Sequence, residues 1–190
     1  KISYGVLKPG PHIPDGVRLI KSQQVRDGFM NLDADFRISK ELDESYKKTR
    51  IQGGEILLNL VGASIGRSAI APPIIEGANV SRAIAVIPVI PDFAEWVQYC
   101  LSGPQGQDII QSKTGGSALP VLNLGEVKTI LIPILPEDER ELRINKLDRL
   151  FAQTRKLEMS YSRELESFEE LKQSILQEVF TGNLTKEITA

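Results

Sequence analysis

The segment "EDERELRINKLDRLFAQTRKLEMSYSRELESFEELKQSILQEVFT", residues 137–181, decides the architecture of this chain because it contains neither glycine nor proline. Acidic residues crowd its first turn, where the helix dipole favours negative charge. Gly182 follows directly, as a glycine often does where a helix ends. The segment therefore predicts one helix of about 45 residues, roughly 67 Å long at 1.5 Å per residue.

Apolar residues recur along this helix at the a and d positions of a heptad repeat. The a/d series is Ile144, Leu147, Phe151, Thr154, Glu158, Tyr161, Leu165, Phe168, Lys172, Ile175 and Val179, with Leu150, Leu157 and Leu171 beside it at g. A domain of roughly 140 residues has a radius of gyration of only about 14 Å, so it cannot cover so long a stripe. The stripe needs a second long helix.

An antiparallel coiled coil of two such helices fits the charges that interrupt the stripe. Crossing near Leu165 would set Glu158 beside Lys172, whereas parallel chains would place like charges together. The residues expected at this helix interface are Ile144, Leu147, Phe151, Leu157, Tyr161, Leu165, Phe168 and Ile175.

Residues 1–136 differ in kind, since they hold all 11 prolines and every glycine except Gly182. Short runs rich in Ile and Val lie between these turn residues. They predict strands at 17–21, 55–61, 67–71, 82–89 and 127–134, with Pro88 and Pro133 at strand ends or edges. The fold class expected is α+β: a compact mixed-sheet domain with short helices over 1–136, followed by the long coiled-coil helix over 137–190.

Two short helices are expected inside the first region. One begins at Pro91 and Asp92, and its buried face is predicted to hold Phe93, Trp96, Val97, Cys100 and Leu101. The other begins at Pro104 and covers 104–112, because proline suits the first position of a helix.

Composition indicates the cellular location of the protein more than its function. A single cysteine, Cys100, gives no internal disulfide and fits a reducing, cytoplasmic location. No apolar run reaches about 18 residues and no signal peptide is visible. The chain begins at Lys1 in strand-like sequence, as a fragment or a trimmed chain would. The net charge is −2, but residues 1–82 carry more basic than acidic residues, so charge neither favours nor excludes a DNA partner.

Catalytic and metal-binding patterns are weak. Asp92, Glu126 and Lys128 match the letters of a PD…ExK magnesium nuclease, but Asp92 begins a helix and Glu126 lies in a predicted turn. His12 is the sole histidine and Cys100 belongs to an apolar helix face, so zinc ligation by Cys and His is excluded. No metal, cofactor or catalytic residue is expected in this chain.

Two polar loops lead into apolar runs. In "NLVGASIGR", residues 59–67, the simple reading is a glycine-supported hairpin, and the functional one is a loop whose amides, Ser64 and Arg67 face phosphate. In "GANVSRAIAVIP", residues 77–88, Asn79, Ser81 and Arg82 precede a strand. Arginine and asparagine can read base edges, but a structural salt bridge serves Arg82 equally well.

Three segments together resemble the DNA-specificity subunit of type I restriction–modification systems. "IQGGEILLNLVGASIGRSAIAP" resembles the family's strand and G-x-x-G-Arg turn. "FAEWVQYCLSGPQGQDIIQSKTGGSALPVLNLGEVKTILIPILP" resembles its helix, glycine-rich loop, Pro-x-Leu-Asn turn and final strand, and "ELESFEELKQSILQEVFTGNL" the end of its long helix. The resemblance runs from about Val17 to Leu184. Two positions depart from the family. Glu55 stands where the family usually has Asp, and Pro136 with "EDERE" stands where it commonly has two prolines and Glu-Gln.

The resemblance implies a non-catalytic recognition domain that touches double-stranded DNA through loops. It implies partner methyltransferase and restriction subunits, which use S-adenosylmethionine, ATP and Mg. Typical members have two recognition domains and two long helices, so this chain is expected to be half a subunit, completed by a homodimer or by the second half of a longer chain. The candidate DNA contacts are Lys21, Ser22, Gln23, Asn59, Ser64, Arg67, Asn79, Ser81, Arg82, Lys113, Thr114 and Ser117.

Two other functions compete with this one. A divergent nuclease would use Asp92, Glu126 and Lys128 with magnesium. A protein-only adaptor would use the long helix and bind no DNA.

Overall fold

The computed structural model describes residues 1–114 and 120–181, and the chain divides into two compact units, Lys1–Ile134 and a second that begins at Leu135. The strands of the first unit are β1 (Ser3–Tyr4), β2 (Val17–Ile20), β3 (Arg37–Ile38), β4 (Ile56–Asn59), β5 (Ser68–Ile70), β6 (Asn79–Val80) and β7 (Ile84–Ile87). Its helices are α1 (Lys40–Ser45), α2 (Ala94–Ser102), α3 (Pro104–Ser112) and α4 (Leu124–Val127), and the second unit is built on α5 (Glu137–Phe180). The predicted α+β fold with a long final helix is confirmed.

The strands form two small sheets. One is antiparallel with the order β1-β7-β4-β5. The other is mixed, with β2 antiparallel to β3 and parallel to β6. The predicted strands at 17–21, 55–61, 67–71 and 82–89 are confirmed as β2, β4, β5 and β7. Strands β1, β3 and β6 are two residues each, too short for a hydrophobic pattern to predict.

Strand β4 lies between β7 and β5, and both of its faces are buried. Leu57 belongs to a core that contains Ile20 and Val80 of the mixed sheet. Ile56 and Leu58 point to the other side, into a core that contains residues of α2 and α3. A strand buried on both faces reads as a continuous apolar run, which is why "ILL" stands out in the sequence.

The strand predicted at 127–134 is wrong. Helix α4 covers Leu124–Val127, and turns follow it. Beyond the turns, Ile132 packs against the core while Leu131 is 86% exposed, which is strand-like alternation without a partner strand. The carbonyl of Pro133 instead accepts a hydrogen bond from Trp96 Nε1 at 2.7 Å. Apolar alternation alone therefore did not show whether a neighbouring strand is available.

Helix α2 buries a face that differs in part from the predicted one. Trp96 and Leu101 are buried, whereas Phe93, Val97 and Cys100 are half-buried. Ala94 and Gln98 are buried as well. Gln98 escaped prediction because it is polar; its Nε2 donates to the Ser68 carbonyl at 2.9 Å and to Ser102 Oγ at 2.7 Å.

Helix α5 begins and ends where its composition predicted. Glu137, Asp138 and Glu139 lie in its first turn. Ile144 is buried and Leu147 half-buried, and every residue from 148 to 181 is exposed. The predicted interface residues from Phe151 to Ile175 thus face solvent in the single chain, and their pairing in a coiled coil stays a prediction.

Within residues 1–114 and 120–181, no helix combines the length and apolar content that crossing a membrane requires.

Candidate nucleic-acid interface

Polar loops lie at one end of the antiparallel sheet. Strand β4 runs antiparallel to β5 and β7, so the segment after Asn59 lies beside the segments that precede Ser68 and Ile84. Residues 60–67 connect β4 to β5 through a 3-10 turn at Gly62–Ser64. Gly62 and Gly66 have φ of 75° and 85°, a region that favours glycine. The predicted hairpin is confirmed.

The mixed sheet contributes loops to the same end. Strands β2 and β6 are parallel and therefore end together, at Ile20 and Val80. The N–H of Ser81, directly after β6, donates to the Ile20 carbonyl at 2.8 Å. Residues 81–83 then lead into β7, and the N–H of Leu60 donates to the Ala83 carbonyl at 2.8 Å. Residues 81–83 are therefore bonded to the mixed sheet at one end and to the antiparallel sheet at the other.

The segment after the glycine-rich stretch returns to this end. Val121 bridges Val61, and the N–H of Gly62 donates to the Pro120 carbonyl at 3.2 Å. Leu122 is fully buried and anchors the return. We call residues 21–29, 60–67, 81–83 and 120–122 the loop edge.

The loop edge brings together most of the candidate contacts. Those on it, all exposed or half-buried, are Lys21, Ser22, Gln23, Ser64, Arg67, Ser81 and Arg82. They come from three separate stretches of sequence, and only the strand topology makes them neighbours. Their role in binding stays a prediction.

The basic side chains of the loop edge differ in how firmly they are held. Lys21 Nζ lies 3.4 Å from the centroid of the Phe36 ring. The guanidinium of Arg82 lies 4.8 Å from the Tyr4 ring, and Arg67 Nε lies 3.6 Å from Asp27 Oδ2. The Asp27 side chain is 72% exposed, so solvent screens that ion pair and leaves Arg67 available to another anion.

Sequence reasoning missed two basic residues and a ring at this end. Arg26 lies on the loop edge, in a turn where its N–H donates to the Phe29 carbonyl. Lys8 is exposed and follows Val6, which bridges Ser81. Arg26 could have been found as a basic residue close to Lys21 in the same predicted loop. Phe36 carried no signal, because its contact with Lys21 depends on the pairing of β2 with β3.

Asn59 and Asn79 are wrong as surface contacts, because both are fully buried. Asn59 Nδ2 donates to the Ser22 carbonyl at 2.9 Å. Asn79 Nδ2 donates to Asp43 Oδ1 at 3.0 Å, and Asn79 Oδ1 accepts from Thr49 Oγ1 at 2.6 Å. Both amides support loops from beneath. An asparagine at the end of a strand does not reveal from the sequence which way its side chain points.

Two of the remaining candidates, Lys113 and Thr114, lie at the end of α3. Lys113 Nζ pairs with Glu126 Oε2 at 3.2 Å, and Thr114 Oγ1 donates to the Gln111 carbonyl at 2.7 Å. Ser117 lies outside the described residues. Lys113 is thus engaged with a carboxylate and Thr114 with the helix end.

The geometry does not support the nuclease reading. Asp92 lies in the exposed turn before α2, and Glu126 lies in α4 with Lys113 as its partner. Neither residue is on a strand, as that site requires. Among residues 1–114 and 120–181, no three His, Cys, Asp or Glu side chains form a group that could hold a metal ion. Partial burial raises the pKa of the Cys100 thiol, which disfavours the nucleophilic thiolate.

Comparison with known proteins confirms the resemblance seen in the sequence. No protein-family model matches the chain. The specificity subunit of the type I restriction enzyme EcoBI from Escherichia coli is 32% identical over 190 residues. That similarity covers 98% of this chain and 39% of the Escherichia coli subunit, so the chain spans well under half the length of the relative it matches.

Three solved structures share the fold. One, from a study of complex assembly and conformational transition in a type I R-M system, has a TM-score of 0.69 at 17% identity and covers 95% of this chain and 43% of its own. The HsdS subunit from Thermoanaerobacter tengcongensis has a TM-score of 0.57 at 14% identity, covering 84% and 37%. The S subunit from M. genitalium has a TM-score of 0.51 at 16% identity, covering 78% and 35%.

Proposed function

We propose that this chain is the target-recognition part of a type I restriction–modification specificity subunit and binds double-stranded DNA through the loop edge. The observation that carries the proposal is the assembly of Lys21, Arg26, Arg67 and Arg82 with polar side chains at one end of the first unit. The similarity to the EcoBI specificity subunit supports it along nearly the whole chain.

The loop edge offers groups for both kinds of contact that a DNA-binding protein makes. The exposed Arg82 and the weakly paired Arg67 suit phosphates, which are approached from many directions, and the exposed Lys8 lies beside the loop edge. Gln23, Ser64 and Ser81 carry donors and acceptors that can meet base edges in a groove. In this proposal the chain itself catalyses no reaction. Methyl transfer and cleavage, with S-adenosylmethionine, ATP and Mg, belong to methyltransferase and restriction subunits that it directs to the site.

A gel shift with duplexes of random sequence tests binding, and enrichment of bound sequences over several rounds tests specificity. We expect binding at low salt that weakens steeply as salt rises, because counterions are released from the phosphates. Arg82→Ala should lower affinity and reduce the salt slope by about one. Lys48→Ala is the matched control, because it also removes one positive charge. Lys48 lines a cavity at the opposite ends of β4 and β7, away from the loop edge. A chain that binds no duplex at low salt would favour the adaptor function instead.

The long helix supports a second part of the proposal, assembly through a partner helix. Phe151, Tyr161, Leu165 and Phe168 are each at least half exposed on α5. Leaving such side chains in water forgoes roughly 1.5–3 kcal/mol for each Leu or Phe. A second copy packed antiparallel would cover them and produce a two-fold symmetric protein whose DNA site is a palindrome with a spacer. The second half of a longer specificity subunit would cover the same stripe within one chain.

Sedimentation of the purified chain distinguishes these assemblies. A homodimer should be present at tens of micromolar. A clean monomer at that concentration would exclude the homodimer and favour the second half of a longer chain.

A further inference from the structure

We propose that residues 21–24, which we call the Lys21 turn, form the base-reading element of the loop edge, and that Gln24 is a positioning residue that acts through Lys21. The inference rests on the proposed function and deepens it, because it separates one specificity-determining contact from the surrounding cations. It assigns to Lys21 the acceptor-rich edge of a base rather than a phosphate.

A buried amide holds the backbone of the Lys21 turn from within. Gln24 is only 3% exposed, and its Oε1 accepts from the Lys21 N–H at 3.0 Å. Its Nε2 donates to the Ala34 carbonyl at 3.0 Å. The backbone carbonyl of Gln24 accepts from the Asn31 N–H at 2.8 Å. One side chain therefore fixes the turn and ties it to the loop that leads to Phe36.

A second buried amide holds the same turn from the antiparallel sheet. Asn59 is fully buried at the end of β4, and its Nδ2 donates to the Ser22 carbonyl at 2.9 Å. Gln24, within the turn, and Asn59, at the end of β4, thus both bond to the backbone of the turn. Without Gln24 the Lys21 N–H would lose the bond to Oε1, and without Asn59 the Ser22 carbonyl would keep only the Val25 N–H at 3.2 Å. Loss of either bond costs free energy, so the two amides restrain the turn.

The side chain of Lys21 is directed as well as its backbone. Its ammonium lies 3.4 Å from the centroid of the Phe36 ring, close enough for a cation–π contact. Phe36 is held in turn, since its carbonyl accepts from the Leu19 N–H at 2.7 Å and the His12 ring lies against it at 5.7 Å. A carboxylate would accept hydrogen bonds from the ammonium, whereas the ring attracts it through its π-face, so N–H donors of Lys21 remain for a base.

Rigidity separates Lys21 from the other cations of the loop edge. Arg82 also lies over a ring, but at 4.8 Å from Tyr4 and with its side chain exposed, whereas Lys21 is half-buried at 3.4 Å from Phe36. Arg67 pairs with an aspartate whose side chain is largely in solvent. A mobile cationic side chain can bind a phosphate on DNA of any sequence. A fixed ammonium forms hydrogen bonds only with a base that has acceptors at that position. Guanine presents O6 and N7 there, the acceptors that lysine commonly meets in the major groove.

The test uses the full chain and a duplex site that the parent protein enriches from a randomised library. The variants are Lys21→Ala, Gln24→Met, Phe36→Leu, and each of the last two combined with Lys21→Ala. Gln98→Met is the matched control, because Gln98 is another buried amide that bonds Ser68 and Ser102 rather than the Lys21 turn. Affinity for the enriched site and for random duplex, together with the salt slope, is measured for each.

We expect each single variant to lose about tenfold in affinity for the enriched site, as loss of one good base contact does. Affinity for random duplex and the salt slope should stay near the parent values. Adding Gln24→Met or Phe36→Leu to Lys21→Ala should cause no further loss, and Gln98→Met should leave the preference unchanged. Phe36→Leu keeps the result decisive if Gln24→Met unfolds the domain.

Three results would overturn the inference. Lys21→Ala could weaken all sequences alike and lower the salt slope by about one, which identifies a phosphate contact. The double variants could lose affinity additively, which shows that Gln24 and Phe36 do not act through Lys21. A parent chain that enriches no sequence contradicts the proposed function itself, and is recognised before any variant is made.

Discussion

The buried network around Asn79 gives the sharpest test of the structure, because the side chain lies where a surface contact was expected. Its Nδ2 donates to Asp43 Oδ1 and to the Tyr46 carbonyl, at 3.0 and 3.1 Å. Its Oδ1 accepts from Thr49 Oγ1 and from the Val80 N–H, at 2.6 and 3.0 Å. The amide therefore joins α1 and the turn after it to β6.

Replacing Asn79 with leucine keeps the volume but removes all of these bonds. Asp43 keeps Arg50, whose Nε donates to Asp43 Oδ2 at 2.7 Å, and Thr49 keeps the Tyr46 carbonyl at 2.8 Å. The Tyr46 carbonyl keeps the N–H and the Oγ1 of Thr49, at 2.9 and 2.8 Å. Four hydrogen bonds are lost in all, and each contributes about 1 kcal/mol net. We expect Asn79→Leu to lower the free energy of unfolding by about 3–5 kcal/mol.

Urea unfolding followed by the fluorescence of Trp96, the only tryptophan, reports on the first unit. With a urea m-value of about 2 kcal/mol per molar, the midpoint should fall by roughly 1.5–2.5 M. Thr49→Val is the graded control, because it removes only one of the bonds to Asn79 and should cost about 1–2 kcal/mol. If Asn79→Leu keeps the parent midpoint but loses affinity for DNA, Asn79 is a contact residue after all and the buried network is wrong.

Three further predictions concern other parts of the chain. Trp96→Ala should destabilise the first unit by about 3–5 kcal/mol, because it removes a large buried side chain. Trp96→Phe should cost only about 1 kcal/mol, for the lost hydrogen bond to the Pro133 carbonyl. Thermal unfolding followed by circular dichroism measures both changes, and equal melting temperatures for the parent and both variants would refute this packing. The pKa of Glu44 lies below its usual 4.5 because Arg50 and then Lys47 donate to its carboxylate, so its contribution to stability is present above pH 4.5 and is lost as pH falls through the lowered value. Glu44→Gln should accordingly flatten the loss of stability in acid, and an unchanged pH profile would show that the ion pairs contribute nothing. In the antiparallel helix pair, Glu158→Lys should weaken the dimer in sedimentation and adding Lys172→Glu should restore it, whereas no restoration would exclude the proposed register.

Elements that depend on neighbouring residues could be predicted from the sequence. Helix α5 follows from an unbroken run without glycine or proline, and α3 from Pro104 at its start. The hairpin over 59–67 follows from Gly62 and Gly66, which permit the positive φ its turn requires. Each of these depends on contacts a few residues apart, and such contacts leave a local pattern.

Only the tertiary structure decided which residues the surface presents. Asn59 and Asn79 reach partners 37 and 36 residues away, so nothing near them in the sequence marks them as buried. The segment 127–134 has the alternation of a strand, but whether a strand lies beside it depends on the packing of the whole unit. The loop edge exists because antiparallel and parallel pairing bring distant strand ends together, and Phe36 meets Lys21 for the same reason. Sequence periodicity records which side chains avoid water, whereas the neighbours of a polar side chain are set by the folded chain.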